Sequence, residues 1–352
     1  MTCLLENEQY VSDARTTASL NVPWEKLQGA TLAISGASGM IGSFLIDVLL
    51  TGKPELDVSI LAFVRNEGRA RQRFAPYLDK GILEIVPVDI NEEVPSISKD
   101  KIDYVIHAAS NTHPRAYATE PIQTLLTNVL GTEHMLRFGI DHGMQRFLFV
   151  SSVEIYGENR GDVERFTEDY CGYLDCNTLR AGYPEGKRAG EALCQAYISE
   201  RGADIVIPRL PRVFGPSMLR SDTKALSQFV NKAVTGENIV LKSEGKQQYS
   251  YLYVADAVSG MLCTLLQGET GEAYNVADES LDISLANLAK TVANYAGKDV
   301  VFDLPDAVEK AGYSKATKAM LDSNKIKILG WKPVFTLTDG LEHTIDILRK
   351  QS

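Results

Sequence analysis

The 352-residue sequence has no long apolar segment and no excess of positive charge. A membrane-spanning helix needs about 20 consecutive apolar residues, and no such run is present. The formal net charge is −10, whereas binding to nucleic acid or to an anionic membrane surface favours positive charge. We therefore expect neither a nucleic acid nor a membrane as a partner. An anionic small molecule would need local cations to hold it.

Cysteine and histidine are also scarce, with five residues of each. The cysteines form no C-x-x-C pair and their number is odd, which in a chain of this length is typical of a reduced, cytoplasmic protein. The histidines show no metal-ligand spacing, so we predict no metal site. The first ten residues, MTCLLENEQY, lack the basic start and the apolar run of a secretory signal.

What is present is an alternation of short apolar runs with longer helical patterns. The apolar runs lie at 31–35, 58–64, 82–88, 104–107, 146–151 and 204–208. Such runs are typical of parallel strands buried on both faces of a sheet. Helical patterns at 40–51, 121–142 and 184–201 separate them. Repeated β-α-β units of this kind predict an α/β fold with a doubly wound parallel sheet, a Rossmann domain.

Beyond residue 210 the pattern changes to helices with short strands between them, which predicts a smaller, mixed α/β substrate-binding domain. We expect an N-terminal extension at 1–28 and a dinucleotide-binding domain at 29–210, completed by about 247–270. The substrate-binding domain then comprises 211–246 and 271–352.

A glycine-rich loop follows the first predicted strand, in the segment ISGASGMIGSFL. Gly36, Gly39 and Gly42 allow a tight turn and a close approach to a pyrophosphate at the positive end of the following helix. A plain β–α turn is the alternative, but six β-α alternations favour dinucleotide binding. The predicted cofactor-binding loop comprises Gly36, Ser38, Gly39, Met40, Ile41 and Gly42.

The end of the second strand bears on the choice between NAD and NADP. NAD binding usually places an acid there to accept the ribose hydroxyls, but the segment is FVRN (63–66), and Asp57 lies at the wrong end. Arg65 instead suits the 2′-phosphate of NADP, with further positive charge at Arg69, Arg71 and Arg73. A solvated basic helix start explains the same residues, so NAD and NADP both stay open with a slight preference for NADP.

Tyr183 and Lys187 lie four residues apart in AGYPEGKRAGE, on one face of a predicted helix. This spacing is common by chance, but other motifs accompany it: DI (89–90), IHAAS (106–110), EPIQTLLTNVLGT (120–132), SSVEIYG (151–157), RVFGP (212–216) and LGW (329–331). In this order, over about residues 30–350, they resemble the extended short-chain dehydrogenase/reductases of the nucleotide-sugar epimerase/dehydratase family. Within that family the likeness is nearest to the UDP-glucuronate decarboxylases (UDP-xylose synthases).

The resemblance implies roles for three residues in the oxidation of a sugar at carbon 4. Tyr183 is the acid/base, Ser152 holds the reacting hydroxyl, and Lys187 lowers the pKa of the phenol and hydrogen-bonds the nicotinamide ribose. A free phenol titrates near pH ~10, too high for a base at neutral pH, so a neighbouring cation is needed. Implied cofactor contacts are Asp89 and Ile90 beside the adenine, Ala108 and Ala109 in the cleft, and Ser110, Asn128, Ser151, Tyr183 and Lys187.

Glu154 bears on the type of reaction. Dehydratases that resemble this chain carry an Asp-Glu pair here and the decarboxylases a Ser-Glu pair, whereas this sequence has Val153 and Glu154. Valine cannot protonate a leaving hydroxyl, which disfavours dehydration. Decarboxylation and epimerisation of a 4-keto sugar both stay open. Glu154 is alternatively a capping or strand-end carboxylate.

The predicted substrate-binding residues depart from the family in two places. The family's phosphate-binding arginine is replaced by Tyr249, and an asparagine of the family is replaced by Arg212. We hypothesise that Arg212 supplies the lost guanidinium from the neighbouring segment. Lys224 stands where relatives have another basic phosphate contact. The predicted substrate-binding set is Ser152, Glu154, Tyr183, Arg212, Lys224 and Tyr249.

Two of the predicted helices carry more apolar residues than one buried face requires: Ile122, Leu125, Leu126, Val129 and Leu130 in 121–142, and Leu193, Ala196 and Tyr197 in 184–201. Family members pair these helices into an intersubunit four-helix bundle, so the resemblance implies a homodimer. Packing on the sheet is the alternative.

Taken together, the sequence predicts an enzyme that oxidises carbon 4 of a nucleotide-diphosphate sugar with a tightly held NAD(P). The 4-keto sugar is then decarboxylated or epimerised before the hydride returns. One alternative is an NADPH-dependent carbonyl or keto-sugar reductase, which Arg65 favours. Another is a non-catalytic dinucleotide sensor, against which intact Ser152, Tyr183 and Lys187 weigh.

Overall fold

The computed structural model describes residues 4–351, apart from 96, 98, 100, 113–116, 118 and 304–316. Its central sheet contains β1 (Thr31–Ser35), β2 (Ser59–Val64), β3 (Leu83–Pro87), β4 (Tyr104–His107), β5 (Arg146–Phe149), β6 (Ile205–Leu210) and β7 (Ala273–Asn275). The spatial order is β7-β6-β5-β4-β1-β2-β3, all neighbours pair in parallel, and Ser151–Ser152 adds a short strand beside β6. The predicted α/β class and parallel sheet are confirmed.

The described α-helices are α1 (Glu8–Ala18), α2 (Met40–Asp47), α3 (Glu67–Leu78), α4 (Pro121–Asp141), α5 (Gly182–Arg201), α6 (Ala225–Thr235), α7 (Val254–Gln267), α8 (Leu285–Ala296), α9 (Asn324–Ile328) and α10 (Leu337–Gln351). Buried residues of α1, α2, α3 and α7 share one apolar core, while those of α4 and α5 share a second core. Strands β1, β2, β4 and β6 are almost wholly buried because both faces of the sheet are covered, which explains their continuous apolar sequences.

The strand order creates the place for a ligand. Strands β2 and β3 lie on one side of β1. Strand β4 and the strands after it lie on the other side of β1. At such a reversal the loops after the two neighbouring strands diverge and leave a crevice at their carboxyl ends. In this fold the crevice lies between the loops that follow β1 and β4.

The N-terminal segment is part of the core rather than a polar lead-in. The Tyr10 hydroxyl on α1 donates to Asp47 Oδ2 at 2.5 Å, and the Tyr77 hydroxyl on α3 donates to Asp47 Oδ1 at 2.8 Å. Arg73 forms an ion pair with the same buried carboxylate. Arg73 is therefore engaged in this network and does not add charge near a 2′-phosphate, contrary to the expectation from its sequence position.

The chain beyond β6 builds three small sheets beside the main one. Arg212–Phe214 pairs with Tyr251–Tyr253, and Ile239–Leu241 pairs with Val300–Phe302. Gln248–Tyr249 lies between Ile283–Ser284 and Lys318–Ala319. The predicted domain limits stay a prediction, and β7 shows that the main sheet takes in residues a little beyond 270.

Within the described residues, no helix combines the length and the apolar character needed to cross a bilayer. The described cysteines, Cys171, Cys176, Cys194 and Cys263, are free thiols. In the same part of the chain, no three His, Cys, Asp or Glu side chains come together as a set of metal ligands.

Candidate active site

The glycine loop between β1 and α2 is packed too tightly for any other residue. Gly36 has a φ of +70°, and a Cβ there would lie 2.8 Å from the backbone of Ala108. A Cβ on Gly42 would lie 2.4 Å from the carbonyl oxygen of Gly36. Helix α2 begins directly afterwards, and no side chain caps it at Gly39. Its N-terminal amides are thus oriented as a pyrophosphate site requires, which fits the predicted dinucleotide loop.

A buried hydrogen-bond chain supports the other wall of the crevice. His107, at the end of β4, shares a hydrogen bond of 2.7 Å with Ser35 Oγ and one of 3.2 Å with Thr132 Oγ1. Burial lowers the pKa of His107 to about 3, so the ring is neutral. Next along the chain, Ser110 Oγ donates to Asn128 Oδ1 at 3.0 Å. These bonds fix the segment Ala108–Ser110 against α4.

The predicted adenine end follows β2 and β3. Arg65 is exposed, and its Nη2 donates to Asn111 Oδ1 at 3.3 Å. Asp89 accepts from the backbone of Asn91 at 3.0 Å. The side chain of Ile90 is buried directly against Gly131, where a Cβ would approach it to 2.7 Å.

Tyr183 and Ser152 meet at the carboxyl ends of the strands. Tyr183, near the start of α5, is 6% exposed, and its ring stacks on Tyr117 with centroids 5.1 Å apart. Burial raises the pKa of its phenol, a hydrogen bond with Ser152 lowers it, and the charge of Glu154 raises it. Ser152 Oγ also accepts from the backbone N–H of Glu154 at 3.3 Å. The short helical turn after the Ser151–Ser152 strand therefore fixes the serine beside the phenol.

Lys187 lies one turn after Tyr183, and its ammonium points inwards. Nζ donates to the carbonyl of Val150 at 2.7 Å and lies 4.7 Å from the centroid of the Phe149 ring. Burial lowers the pKa of Lys187 to about 7, against an opposite effect of Glu191. The predicted lowering of the Tyr183 pKa by Lys187 stays a prediction.

The hydroxyl of Ser151 is directed into the protein, towards Glu191. It donates to Glu191 Oε1 at 2.5 Å, and Glu191 also accepts from Arg209 Nε at 3.0 Å and Nη2 at 2.6 Å. Arg209 Nη1 in turn donates to the Tyr156 hydroxyl at 2.9 Å. The side chain of Ser151, predicted as a cofactor contact, thus belongs to a buried network that supports the strand end.

Glu154 faces a group of cations on the other side of Tyr183. Arg180 Nη2 donates to both of its carboxylate oxygens, at 3.0 and 3.3 Å. Lys224 lies 3.7 Å from Asp222, and the charges of Glu154 and Arg212 also act on its ammonium. The predicted substrate residues thus share one electrostatic environment.

Arg212 and Tyr249, the two departures from the family pattern, lie in contact. The guanidinium carbon is 3.5 Å from the centroid of the tyrosine ring, a stacked cation–π arrangement. Arg212 Nη1 is buried and has no hydrogen-bond partner among the described residues. Because a buried N–H without an acceptor is unfavourable, this atom is suited to bind an anionic ligand.

Three features of the site were not predicted from the sequence: Arg180, Tyr117 and the hydrogen bonds of His107. Arg180 precedes Tyr183 by one helical turn, a spacing that could have drawn attention to it. Nothing in the local sequence connects it with Glu154, which is 26 residues away. Tyr117 offers no pattern at all, since it is a lone aromatic residue between two predicted elements.

The parallel sheet and the glycine loop define a dinucleotide-dependent α/β protein. The chain belongs to the NAD dependent epimerase/dehydratase family, which matches residues 32–277. It is therefore an enzyme of this class, an extended short-chain dehydrogenase/reductase that uses a nicotinamide cofactor on nucleotide sugars. This fits the main prediction and not the two alternatives, a reductase of free carbonyls or a silent sensor.

Individual relatives agree with this assignment. UDP-glucuronic acid decarboxylase 1 of Xenopus tropicalis is 31% identical over 323 residues, which cover 91% of this chain and 72% of the relative. UDP-glucuronic acid decarboxylase 6 of Arabidopsis thaliana is 29% identical over 311 residues, which cover 88% of this chain and 86% of the relative. A solved structure of UDP-glucuronic acid 4-epimerase from Bacillus cereus, with UDP-glucuronic acid and NAD, has a TM-score of 0.76. It is 20% identical, over 92% of this chain and all of that one, and supports the fold.

Proposed function

We propose that this enzyme oxidises carbon 4 of a UDP-linked uronic acid and then decarboxylates the resulting 4-keto sugar. The observation that carries the proposal is the placement of the Tyr183 phenol near the Ser152 hydroxyl and the charge of Glu154, at the carboxyl ends of the strands. Two named UDP-glucuronic acid decarboxylases that cover most of the chain support the choice of substrate. Epimerisation at carbon 4 is the second candidate, because Val153 and Glu154 permit both.

The residues divide the reaction between them. Ser152 holds the C4 hydroxyl and Tyr183 takes its proton as a general base. A nicotinamide cofactor held at the glycine loop, at Gly36, Gly39 and Gly42, would supply the hydride acceptor for carbon 4 and the donor for the later reduction. Once carbon 4 is a ketone, the bond from carbon 5 to the carboxylate breaks, CO2 leaves, and the electron pair is delocalised onto the carbonyl oxygen. Carbon 5 then takes up a proton from solvent. As hydride returns to carbon 4, Tyr183 gives back to the C4 oxygen the proton that it had taken.

The phosphates of the nucleotide are assigned to Arg212 and Lys224. Stacking on Tyr249 holds the guanidinium of Arg212 in one orientation, with its buried Nη1 available for an acceptor. This geometry supports the hypothesis that Arg212 replaces the arginine lost at position 249. Arg212→Ala is expected to weaken UDP binding by about 10-fold or more, since charge-assisted hydrogen bonds to a phosphate are strong. Unchanged UDP affinity would refute the replacement.

The choice between NAD and NADP depends on Arg65. It is exposed directly after β2, where the adenosine ribose is expected, and Asn111 is its hydrogen-bond partner. We propose that the site accepts both cofactors, with Arg65 favouring the 2′-phosphate of NADP. For the assembly we propose a homodimer through α4 and α5, and for the location the cytoplasm, on the grounds of cysteine usage.

The test is to incubate the enzyme with UDP-, dTDP-, GDP- and CDP-sugars, uronic acids included, and to measure product mass. We expect UDP-glucuronate to give a product lighter by one CO2, without net consumption of cofactor. Tyr183→Phe should lower this turnover by about 10²- to 10⁴-fold while leaving cofactor binding intact. Unchanged mass with altered NMR couplings would indicate epimerisation instead, and net oxidation of NADPH would indicate a reductase.

A further inference from the structure

Arg180 contacts both Glu154 and Tyr117 in the candidate active site. It lies in the turn Leu179–Ala181 that leads into α5, one turn before Tyr183. Its Nη2 binds both oxygens of Glu154, at 3.0 and 3.3 Å, and its guanidinium carbon lies 5.7 Å from the centroid of the Tyr117 ring. That ring stacks on Tyr183. Arg180 is therefore connected to Tyr183 through the ring of Tyr117.

The guanidinium of Arg180 keeps N–H donors that are not used in its contact with Glu154. An arginine carries five N–H donors in a planar fork. Only Nη2 makes hydrogen bonds to described residues, and 30% of the side chain is accessible. The remaining N–H groups on Nε and Nη1 point to different sides of the guanidinium, and Nη1, which shares an edge with Nη2, is available to a second carboxylate.

Two other cations described at the site, Arg212 and Lys224, are assigned above to the phosphates of the nucleotide. Arg212 is held flat on Tyr249, and Lys224 lies 3.7 Å from Asp222. A substrate carboxylate next to carbon 4 would meet the negative charge of Glu154, and Arg180 is the cation in direct contact with that charge. Without Arg180, two like charges would face each other in a half-buried site.

We propose that Arg180 is the residue that selects sugars with a carboxylate on carbon 5, by bridging that carboxylate and Glu154. The inference rests on the proposed function, since it assumes that carbon 4 of a sugar lies at Ser152 and Tyr183. Carbon 5 is bonded to carbon 4, so its substituent must lie close to Ser152 and Tyr183. A neutral CH2OH group gains little from the guanidinium, whereas a carboxylate gains charge-assisted hydrogen bonds.

The test compares two sugars that differ only at this group. Binding of UDP-glucuronate, UDP-glucose and UDP is measured by calorimetry with NAD present, in a Tyr183→Phe background that prevents turnover. Arg180→Gln is expected to weaken the binding of UDP-glucuronate by about 10- to 100-fold and the binding of UDP-glucose by less than about 3-fold. Arg180→Lys, which keeps a cation beside Glu154, should fall between these values. Arg201→Gln, at the exposed end of the same helix, is the matched control and should change neither sugar.

The outcomes separate this inference from the proposed function. An equal loss for both sugars in the Arg180 variants, or no loss, overturns the role in selectivity even if the wild-type enzyme decarboxylates UDP-glucuronate. Selective loss of UDP-glucuronate binding supports it even if the wild-type product proves to be an epimer. If Arg180→Gln fails to fold, the ratio of the two affinities in Arg180→Lys decides, and an unchanged ratio counts against the proposal.

Discussion

At the scale of single residues, the most consequential feature is Lys187, whose amine is buried where a positive charge is unfavourable. Lys187 is 3% exposed, and burial lowers its pKa to about 7 from an ordinary value of 10.5. Between these two values the unfolded chain binds more protons than the folded protein. The stability of the folded protein therefore rises with pH in this window, and the unfavourable effect of the lysine is fully present below about pH 7.

Replacing this lysine is expected to stabilise the protein while it removes activity. Lys187→Met should raise the free energy of unfolding at pH 6 by about 1–3 kcal/mol, after allowance for the hydrogen bond lost to Val150. The gain should shrink towards pH 10. Thermal melts of both proteins across this range check the prediction. A variant that is less stable than the wild type at pH 6 would contradict it.

Arg65 carries the second prediction at this scale. Arg65→Ser should weaken the binding of NADP by about 10-fold and change the binding of NAD by no more than about 2-fold. Only NADP carries a 2′-phosphate that the guanidinium can bind. Fluorescence titration with each reduced cofactor measures the two affinities. Arg201→Ser is the control, since Arg201 is exposed at the end of α5. An unchanged NADP-to-NAD ratio would remove Arg65 from the adenosine site.

Single residues also show how far sequence reasoning reaches. Tyr183 and Ser152 could be predicted because their motifs are local and lie in family order. The ion pair of Arg180 with Glu154 joins two segments that are brought together only by the fold. The pKa of Tyr183 could not be predicted either, since it depends on burial and on the neighbouring Ser152 and Glu154.

At the scale of elements, the N-terminal helix α1 and the C-terminal helix α10 are connected through a buried carboxylate. Asp13 on α1 accepts from the Tyr253 hydroxyl at 2.7 Å and is 3.2 Å from His343 Nδ1 on α10. The hydrogen bond to Asp13 raises the pKa of His343 above its ordinary value of 6.5. A raised pKa contributes stability that is fully present below the unfolded value and is lost as pH rises through the folded value.

The contact between these helices should therefore weaken at alkaline pH. His343→Gln is expected to destabilise the protein by about 1 kcal/mol at pH 5.5 and by less at pH 8.5. Denaturant unfolding at the two pH values gives the difference. Equal destabilisation at both would show that the charge of His343 contributes nothing to the contact.

The helix pair α4 and α5 depends on small residues at its contact with the sheet. A Cβ on Gly190 would lie 2.4 Å from Cζ of Phe149, and one on Gly186 would lie 2.9 Å from Cβ of Asn128. Gly190→Ala should destabilise the fold by about 1–3 kcal/mol, because α5 would have to move away from β5. Gly202→Ala, at the exposed end of α5, has open space but a φ of +64°. It therefore tests backbone strain separately from steric overlap. A fully stable Gly190→Ala protein would show that α5 can shift without loss.

Most elements of the fold were predictable because the strands are continuous apolar runs and the helices have clear amphipathic or capped sequences. The burial of α1 could not be predicted, since its composition is polar on average. Its few apolar residues are recognised as core residues only once the fold places them against Asp47 and α7. The short strand β7 was also missed. Three residues carry no periodic pattern, and their pairing with β6 is set by the whole sheet.

For the whole molecule, the open question is what covers the outer face of α4 and α5. Ile122 is 73% exposed, Leu125 and Leu130 are 39% exposed, and Leu179 just before α5 is 68% exposed. Three of these side chains lie on α4 and Leu179 lies in the turn before α5, and the two helices pack closely against each other. A cluster of exposed apolar residues is typical of a surface that associates with a second copy of the chain.

The proposed dimer is tested by charge on this face. Ile122→Glu combined with Leu125→Glu should convert the protein from dimer to monomer, because burying two carboxylates without partners is strongly unfavourable. Light scattering at micromolar concentration measures the mass. Ile328→Glu is the matched control, as Ile328 is 84% exposed but lies on α9, away from the helix pair. A wild-type monomer, or a double variant that stays dimeric, would show that this face is not the interface. A monomer that still binds cofactor would show that each chain holds a complete dinucleotide site.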